Sequence, residues 1–365
     1  MDLSGRLAAY FRCSRAPAFA FLLLLSSASA HAENATIVHA IDGFVRPAYA
    51  GFRQSTEALA TDVDALCASP GDIALETARE AFTAAVRSWS HVENIRFGPV
   101  TEENRLERIL FWPDRKGIGL KQVQAAIAGE DATAADPQTL PGKSVAMQGL
   151  GALEFVLSGS GSDSLTNAAG AYRCRYGLAI ATNLDTMATA IAAAWDRPAG
   201  VAQQWANPGA ANPLYRTDAE AMTELFNVFV HGLEMVRDVR INGFLGKTPD
   251  GDKPKSAIFW RSGATLASIN GDLAGLSALF NASKLSAELE EGDYWIAQSI
   301  RFEFSNADFA LQAADGPIDQ VLGDGAKRKK LDYARIVTSS LSELFGVKLA
   351  AALDLSAGFS SLDGD

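Results

Sequence analysis

Four histidines and three cysteines are spread through 365 residues, and that scarcity narrows the chemistry. No H-E-x-x-H, G-x-S-x-G, P-loop or C-x-x-C-H run occurs. The chain therefore shows no zinc-protease helix, nucleophile elbow, phosphate cradle or haem-attachment site. A serine with an adjacent base cannot be identified either. Basic charge is short as well, with 32 Lys and Arg against 43 Asp and Glu and a net charge of −11. Nucleic acid would need a basic stripe, and anionic lipid a polybasic segment, so the balance argues against both as partners. The acidity suits a cation, or a neutral or basic ligand. Alternating β-branched runs are lacking, which argues against sheet. Beyond the first residues no stretch reads as long and apolar enough for a transmembrane helix.

What is present begins with a leader. Arg6, Arg12 and Arg15 precede an apolar run, Ala18 to Leu25, and small residues at Ala28, Ala30 and Ala32 follow. This is the pattern of a secretory signal peptide over residues 1–32, cut after Ala32 or Ala30. The run is too short for a stable bilayer anchor. Cys13 lies before it and is no lipid-attachment site. The leader removes three arginines and only Asp2, so the remaining chain is more acidic still. Export places it in the periplasm or cell envelope. There Cys67 and Cys174 read as one disulfide closing a long loop, worth ~2–4 kcal/mol. Two buried free thiols are the alternative.

Alanine and leucine abound, and the pattern is helical nearly throughout. Helices are expected at about Thr36 to Ala68, bent or broken at Pro47, and, after a Ser69 N-cap with Pro70 at the first helical position, at Ile73 to about Arg96. Gly98-Pro99 stops that helix. An irregular crossing with a Trp112-Pro113 break leads to helices at Leu120 to Ala128, Val145 to Leu157 and Ala168 to Trp195. After Pro198 to Pro213, the best domain boundary, come Asp218 to Phe244, Ser256 to Phe280, Leu285 to Ala314 and Ala326 to Ala352. The expected fold is all-α. Two bundles of the four-helix type, residues 33–198 and 199–352, would meet at a cleft, and a flexible tail, 353–365, would follow. The basic run Lys327 to Lys330 reads as a solvated helix start.

Few residues could carry chemistry. Trp89, Glu93 and Arg96 share one stripe at i, i+4 and i+7. They form either a cleft wall or a Glu93–Arg96 surface pair beside a core tryptophan. Glu154 stands out because every neighbour from Leu150 to Leu157 is apolar or glycine. A helix apolar all round is buried, and a buried carboxylate needs a partner. Arg96, Arg173 and Arg261 are candidates. Either the acid faces a ligand, or an ion pair joins two helices. Gly149 and Gly151 permit close backbone approach or leave room for a bound group. His231 and Glu234 share a helix face and could hold a metal with one more ligand, or Glu234 could pair with Arg237.

Trp89-x-x-x-Glu93-x-x-Arg96-Phe97-Gly98-Pro99, then Trp112-Pro113, then Gly149-Leu150-Gly151-Ala152-Leu153-Glu154-Phe155 together resemble the imelysin family, as do the contexts of Cys67 and Cys174. The resemblance runs from about Thr36 to Leu349. It implies a two-domain helical fold with a site between the domains, an envelope or periplasmic location, and a link to iron uptake. The family is also classed among peptidases. Its G-x-H-x-x-E motif is incomplete here, since Gly151 stands where the histidine belongs. Losing that imidazole removes the motif's best metal ligand. The expectation is an envelope binding or accessory protein in iron or nutrient acquisition. Its ligand site would hold Trp89, Glu93, Arg96, Gly149, Gly151, Glu154 and Arg261, and its partner would be a small ligand, a metal ion or an envelope protein. No residue is assigned as catalytic. Iron and zinc are the candidate cofactors, with His231 and Glu234 as candidate ligands. The alternatives are a metal-dependent peptidase using Glu154 with His231 or His91, and a structural partner protein.

Overall fold

The computed structural model describes residues 35–355. The leader and residues 356–365 of the tail lie outside them. The fold is all-α, with no strand among the described residues. Its main elements are α1 (Arg46–Ala68), α2 (Asp72–Val92), α3 (Ile118–Ala128), α4 (Leu150–Ser158), α5 (Ala171–Trp195), α6 (Asp218–Glu234), α7 (Thr265–Ser283), α8 (Tyr294–Ala313) and α9 (Gly325–Glu343). α1 packs on α2 and α5, α2 on α7, and α8 on α9 and α7. Buried apolar side chains from both halves of the chain form one continuous core.

Local sequence explains where the elements depart from expectation. Pro47 does not break its helix. It lies within a run that is helical from residue 35 to 68, directly after a π-helical turn at Ile41–Val45 that shifts the hydrogen-bond pattern ahead of it. Ser69 is not an N-cap: its N–H closes α1 on Ala65, Pro70 lies outside any helix, and Gly71 precedes α2. α2 ends at Val92, so Arg96 falls outside it. The helix expected from Ser256 starts only at Thr265, because Phe259 (φ 52°) and Gly263 (φ 74°) turn the preceding chain. Short 3-10 turns replace the expected helix start at Leu285. The chain expected to be helical from Val145 forms a 3-10 turn, Val145–Met147, and α4 starts at Leu150.

Gly149 therefore stands ahead of α4 rather than inside it, at φ 84°. A Cβ there would lie 2.3 Å from the Arg108 carbonyl oxygen. Gly149→Ala is expected to lose more than ~2 kcal/mol from the strained φ and the clash together. A denaturant midpoint equal to wild type would contradict that assignment.

Cys67 of α1 and Cys174 of α5 are bonded, so the disulfide reading holds over free thiols. Segment 168–195 corrects the expectation that no later stretch could span a bilayer: by length and composition it qualifies. Its Tyr176, Ile180, Leu184, Ile191 and Trp195 are buried in the core, as in a central helix of a globular fold. α2 and α7 cross at backbone distance. A Cβ on Gly275 would sit 1.9 Å from the His91 carbonyl oxygen, and one on Gly271 would sit 2.9 Å from that of Arg87. Ser90 and Ser268 hydroxyls meet at 2.8 Å beside them.

Candidate functional site: two cavities at one seam

Segments before residue 160 meet segments after residue 220 around two adjoining cavities. The first, about 560 Å3, is lined by Gly151, Glu154 and Phe155 of α4 and by Trp260 and Arg261. The second, about 620 Å3, is lined by Trp89, Glu93, Asn94, Arg96, His231 and Arg240. Phe111, Trp112 and Pro113 line both and form the partition. The Trp112-Pro113 bond is cis. The residues expected in one cleft are thus divided. Trp89, Glu93, Arg96 and His231 face the second cavity, and Gly151, Glu154 and Arg261 the first. Gly149 and Glu234 line neither.

Glu154 is buried, as its apolar helix required. Its Oε1 accepts from the backbone N–H groups of Arg261 (2.9 Å) and Ser262 (3.1 Å) and from the Ser262 hydroxyl (3.2 Å). Oε2 faces the Arg261 guanidinium at 3.8 Å. Burial pushes the Glu154 carboxyl above its ordinary range, against the pull of those donors. Of the three candidate arginines only Arg261 reaches it. Arg173 instead donates to the carbonyls of Phe155, Val156 and Ser160, closing the C-terminus of α4. Arg96 is exposed, with Met235 sulfur 3.8 Å from its Nη1. The Arg261 guanidinium also stacks over Trp260, 4.4 Å from the ring centre. At Gly151 a Cβ would meet only the Phe111 carbonyl, at 3.9 Å. The position that carries histidine in the family motif is open space on the cavity wall.

The second cavity holds what the sequence did not reveal. Glu93 is fully buried, so the surface pair with Arg96 does not form. Its Oε1 accepts from Arg240 Nη2 at 2.6 Å. Asp272 of α7, 0 % exposed, lies 3.9 Å from Arg240 Nε. Trp112 covers the guanidinium at 4.5 Å. Burial, then the neighbouring Glu93 charge, raises the Asp272 carboxyl well above its ordinary value. Burial also pushes Glu93 up, but Arg240 and a hydrogen bond from Asp272 outweigh it, and its net shift is downward. The cluster is therefore an Arg240–Glu93 ion pair beside a buried Asp272 carboxyl that its surroundings bias toward the protonated form. Above about pH 4 the unfolded chain releases a proton that the folded Asp272 keeps, so stability falls as pH rises toward the raised value. Asp272→Asn, which keeps a donor without an ionisable proton, is expected to flatten the fall in melting temperature between pH 5 and 8. A wild-type slope in the variant would refute this arrangement.

His231 lies near Glu224, whose carboxyl burial raises and the His231 charge lowers. Arg237 pairs with Asp238, and Glu234 is a weaker charge acting on the same guanidinium. Among the described residues no three His, Cys, Asp or Glu side chains gather closely enough to hold a metal ion. His91 lies elsewhere, 5.3 Å from the Phe44 ring, in an open groove between α2 and α7. In the second cavity's lining, Trp89 Nε1, both side-chain polar atoms of Asn94, His231 Nε2 and Arg240 Nη1 lack a hydrogen-bond partner within the protein.

These features define an all-helical protein with paired, partly polar cavities along an internal seam. The imelysin family (peptidase family M75) model matches residues 45–344, and the chain belongs to that family. Its fold is shared with an imelysin-like protein from Psychrobacter arcticum 273-4, at 21 % identity and a TM-score of 0.71, covering 90 % of this chain and 98 % of that one. It is also shared with a protein from Parabacteroides distasonis ATCC 8503 assigned as an iron-regulated protein A precursor, at 15 % identity and a TM-score of 0.74, covering 88 % and 95 %. No curated protein matches the chain.

Proposed function

We propose that this chain is an imelysin-like binding or accessory protein of the cell envelope that holds a small ligand or metal ion at the seam cavities, in the service of iron or nutrient acquisition. The unpartnered polar groups of Trp89, Asn94, His231 and Arg240 carry the reading. Buried donors and acceptors without partners cost about 1–3 kcal/mol each, and an occupant offering matching groups recovers that. Two observations weigh against peptide hydrolysis as the role. Gly151 leaves the motif's histidine position empty, and Glu154 Oε1 is already engaged by three donors in the 261–262 turn. The iron connection rests on the name of the Parabacteroides neighbour and on the family resemblance. The leader sequence supports export.

The test is calorimetric titration of Fe2+ (anaerobically) and Zn2+ into the chain from Glu33 to Asp365, with native mass spectrometry for a retained small molecule. Asn94→Ala and Glu154→Gln are run in parallel. Binding weakened at least tenfold by Asn94→Ala places the occupant in the second cavity, and an equal loss in Glu154→Gln alone places it in the first. Peptide hydrolysis abolished by Glu154→Gln would overturn the reading.

A further inference from the structure

The outer face of α8 and α9 carries apolar side chains that the fold does not use. Trp295, Phe302 and Phe309 of α8, Tyr333 and Ile336 of α9, and Val347 in the π turn after α9 are 42–66 % exposed. The α8 residues recur every seven positions. Residues so spaced drift only about 20° per step around a straight helix, so the three rings form one line. Lys330 Nζ stands 5.4 Å over the Phe309 ring, and the Ser340 hydroxyl bonds Glu303 at 2.9 Å. These two contacts make α8 and α9 antiparallel neighbours and bring Phe302 and Ile336 to within about one helical turn of the same level. Ile336 is itself the midpoint of a second heptad line on the exposed face of α9, Lys329–Ile336–Glu343.

We infer that this face is the interface of an isologous dimer between two copies of the chain, about a two-fold axis passing between Phe302 and Ile336. Two properties select a second copy as the occupant. The first is self-complementarity. The axis lies at the centre of both heptad lines, so it sets Trp295 of one copy against Phe309 of the other. It likewise sets Lys329 against Glu343, opposite charges at equal distance from Ile336. Glu343 stands 3.9 Å from exposed Lys348. The second is area. At ~200 Å2 for a large side chain, the six residues expose roughly 700 Å2. That exceeds the largest patch usual on a monomer, about 300–600 Å2, and approaches the ~800 Å2 per partner of a specific complex. The seam cavities are lined by none of these residues, so the dimer would leave them open.

Analytical ultracentrifugation of the chain from Glu33 to Asp365 at 1–100 μM tests this. The expected result is a dimer that Phe302→Glu or Ile336→Glu weakens at least about a hundredfold, with unchanged helical circular dichroism. Lys329→Glu and Glu343→Lys should each weaken it about fivefold, and the double exchange should restore it. A monomer throughout that range overturns the inference. So does a dimer indifferent to Phe302→Glu, or a double exchange no better than the single changes.

Discussion

Glu93→Ala is expected to destabilise the protein by about 3–5 kcal/mol, the usual consequence of removing one partner from a buried ion pair. Arg240 would keep its charge in an interior that Trp112 closes on one side and α7 on another, next to an Asp272 carboxyl biased toward its neutral form. Ionising Asp272 would return part of the loss, so the variant's stability should fall less with rising pH than the wild type's. Arg240→Met combined with Glu93→Leu should recover most of the loss, because an apolar pair of similar volume needs no compensating charge. Chemical denaturation at pH 7 checks both. A Glu93→Ala loss under 1 kcal/mol would mean that water reaches Arg240 and the pair is not closed off.

Removing the disulfide is the second large effect. Cys67 and Cys174 are 107 residues apart in sequence, and a closed loop of that length restrains the unfolded chain by about 4–5 kcal/mol in the chain-entropy account. Measured losses for native disulfides span about 2–5 kcal/mol. The double variant Cys67→Ser, Cys174→Ser should fall in that range, and reductant should shift the wild type by a similar amount while leaving the variant unmoved. The bond ties the end of α1 to the start of α5, two helices already packed along their length. The variant should therefore keep its helical spectrum. Equal midpoints for wild type and variant would show that the unfolded chain is not held by this link.

The all-α class was legible because apolar residues recur at helical spacing and sheet signals are lacking. Burial of Glu154 was legible because its whole helix is apolar. Its binding mode was not, since two of the three donors are backbone N–H groups of a turn, which no side-chain code announces. Arg240 and Asp272 were missed although the same signal was present. Asp272 sits in Leu266 to Leu276 among small and apolar residues, and Arg240 lies between Val239 and Ile241. What the sequence could not supply was their meeting with Glu93, across 147 residues for Arg240. Trp89, Glu93 and Arg96 do not share one helix face, because α2 stops at Val92 and the turn that buries Asn94 and Ile95 sends Arg96 outward, yet all three line the second cavity. The division of one cleft into two cavities rests on the 111–113 segment, which the sequence marked only as a break.

The glycine-mediated crossing of α2 and α7 has a mechanical consequence. Helices held apart by side chains can slide by exchanging rotamers, but here the backbone at Gly271 and Gly275 touches the backbone of α2 directly. There is no soft layer to shear. The two halves of the chain are riveted at that point, so the seam cannot gape like a jaw around a hinge. The exposed side chains on the cavity linings, Arg96 and Glu107 for the second and Arg115, Asp238 and Lys255 for the first among them, are then the parts of the walls freest to move.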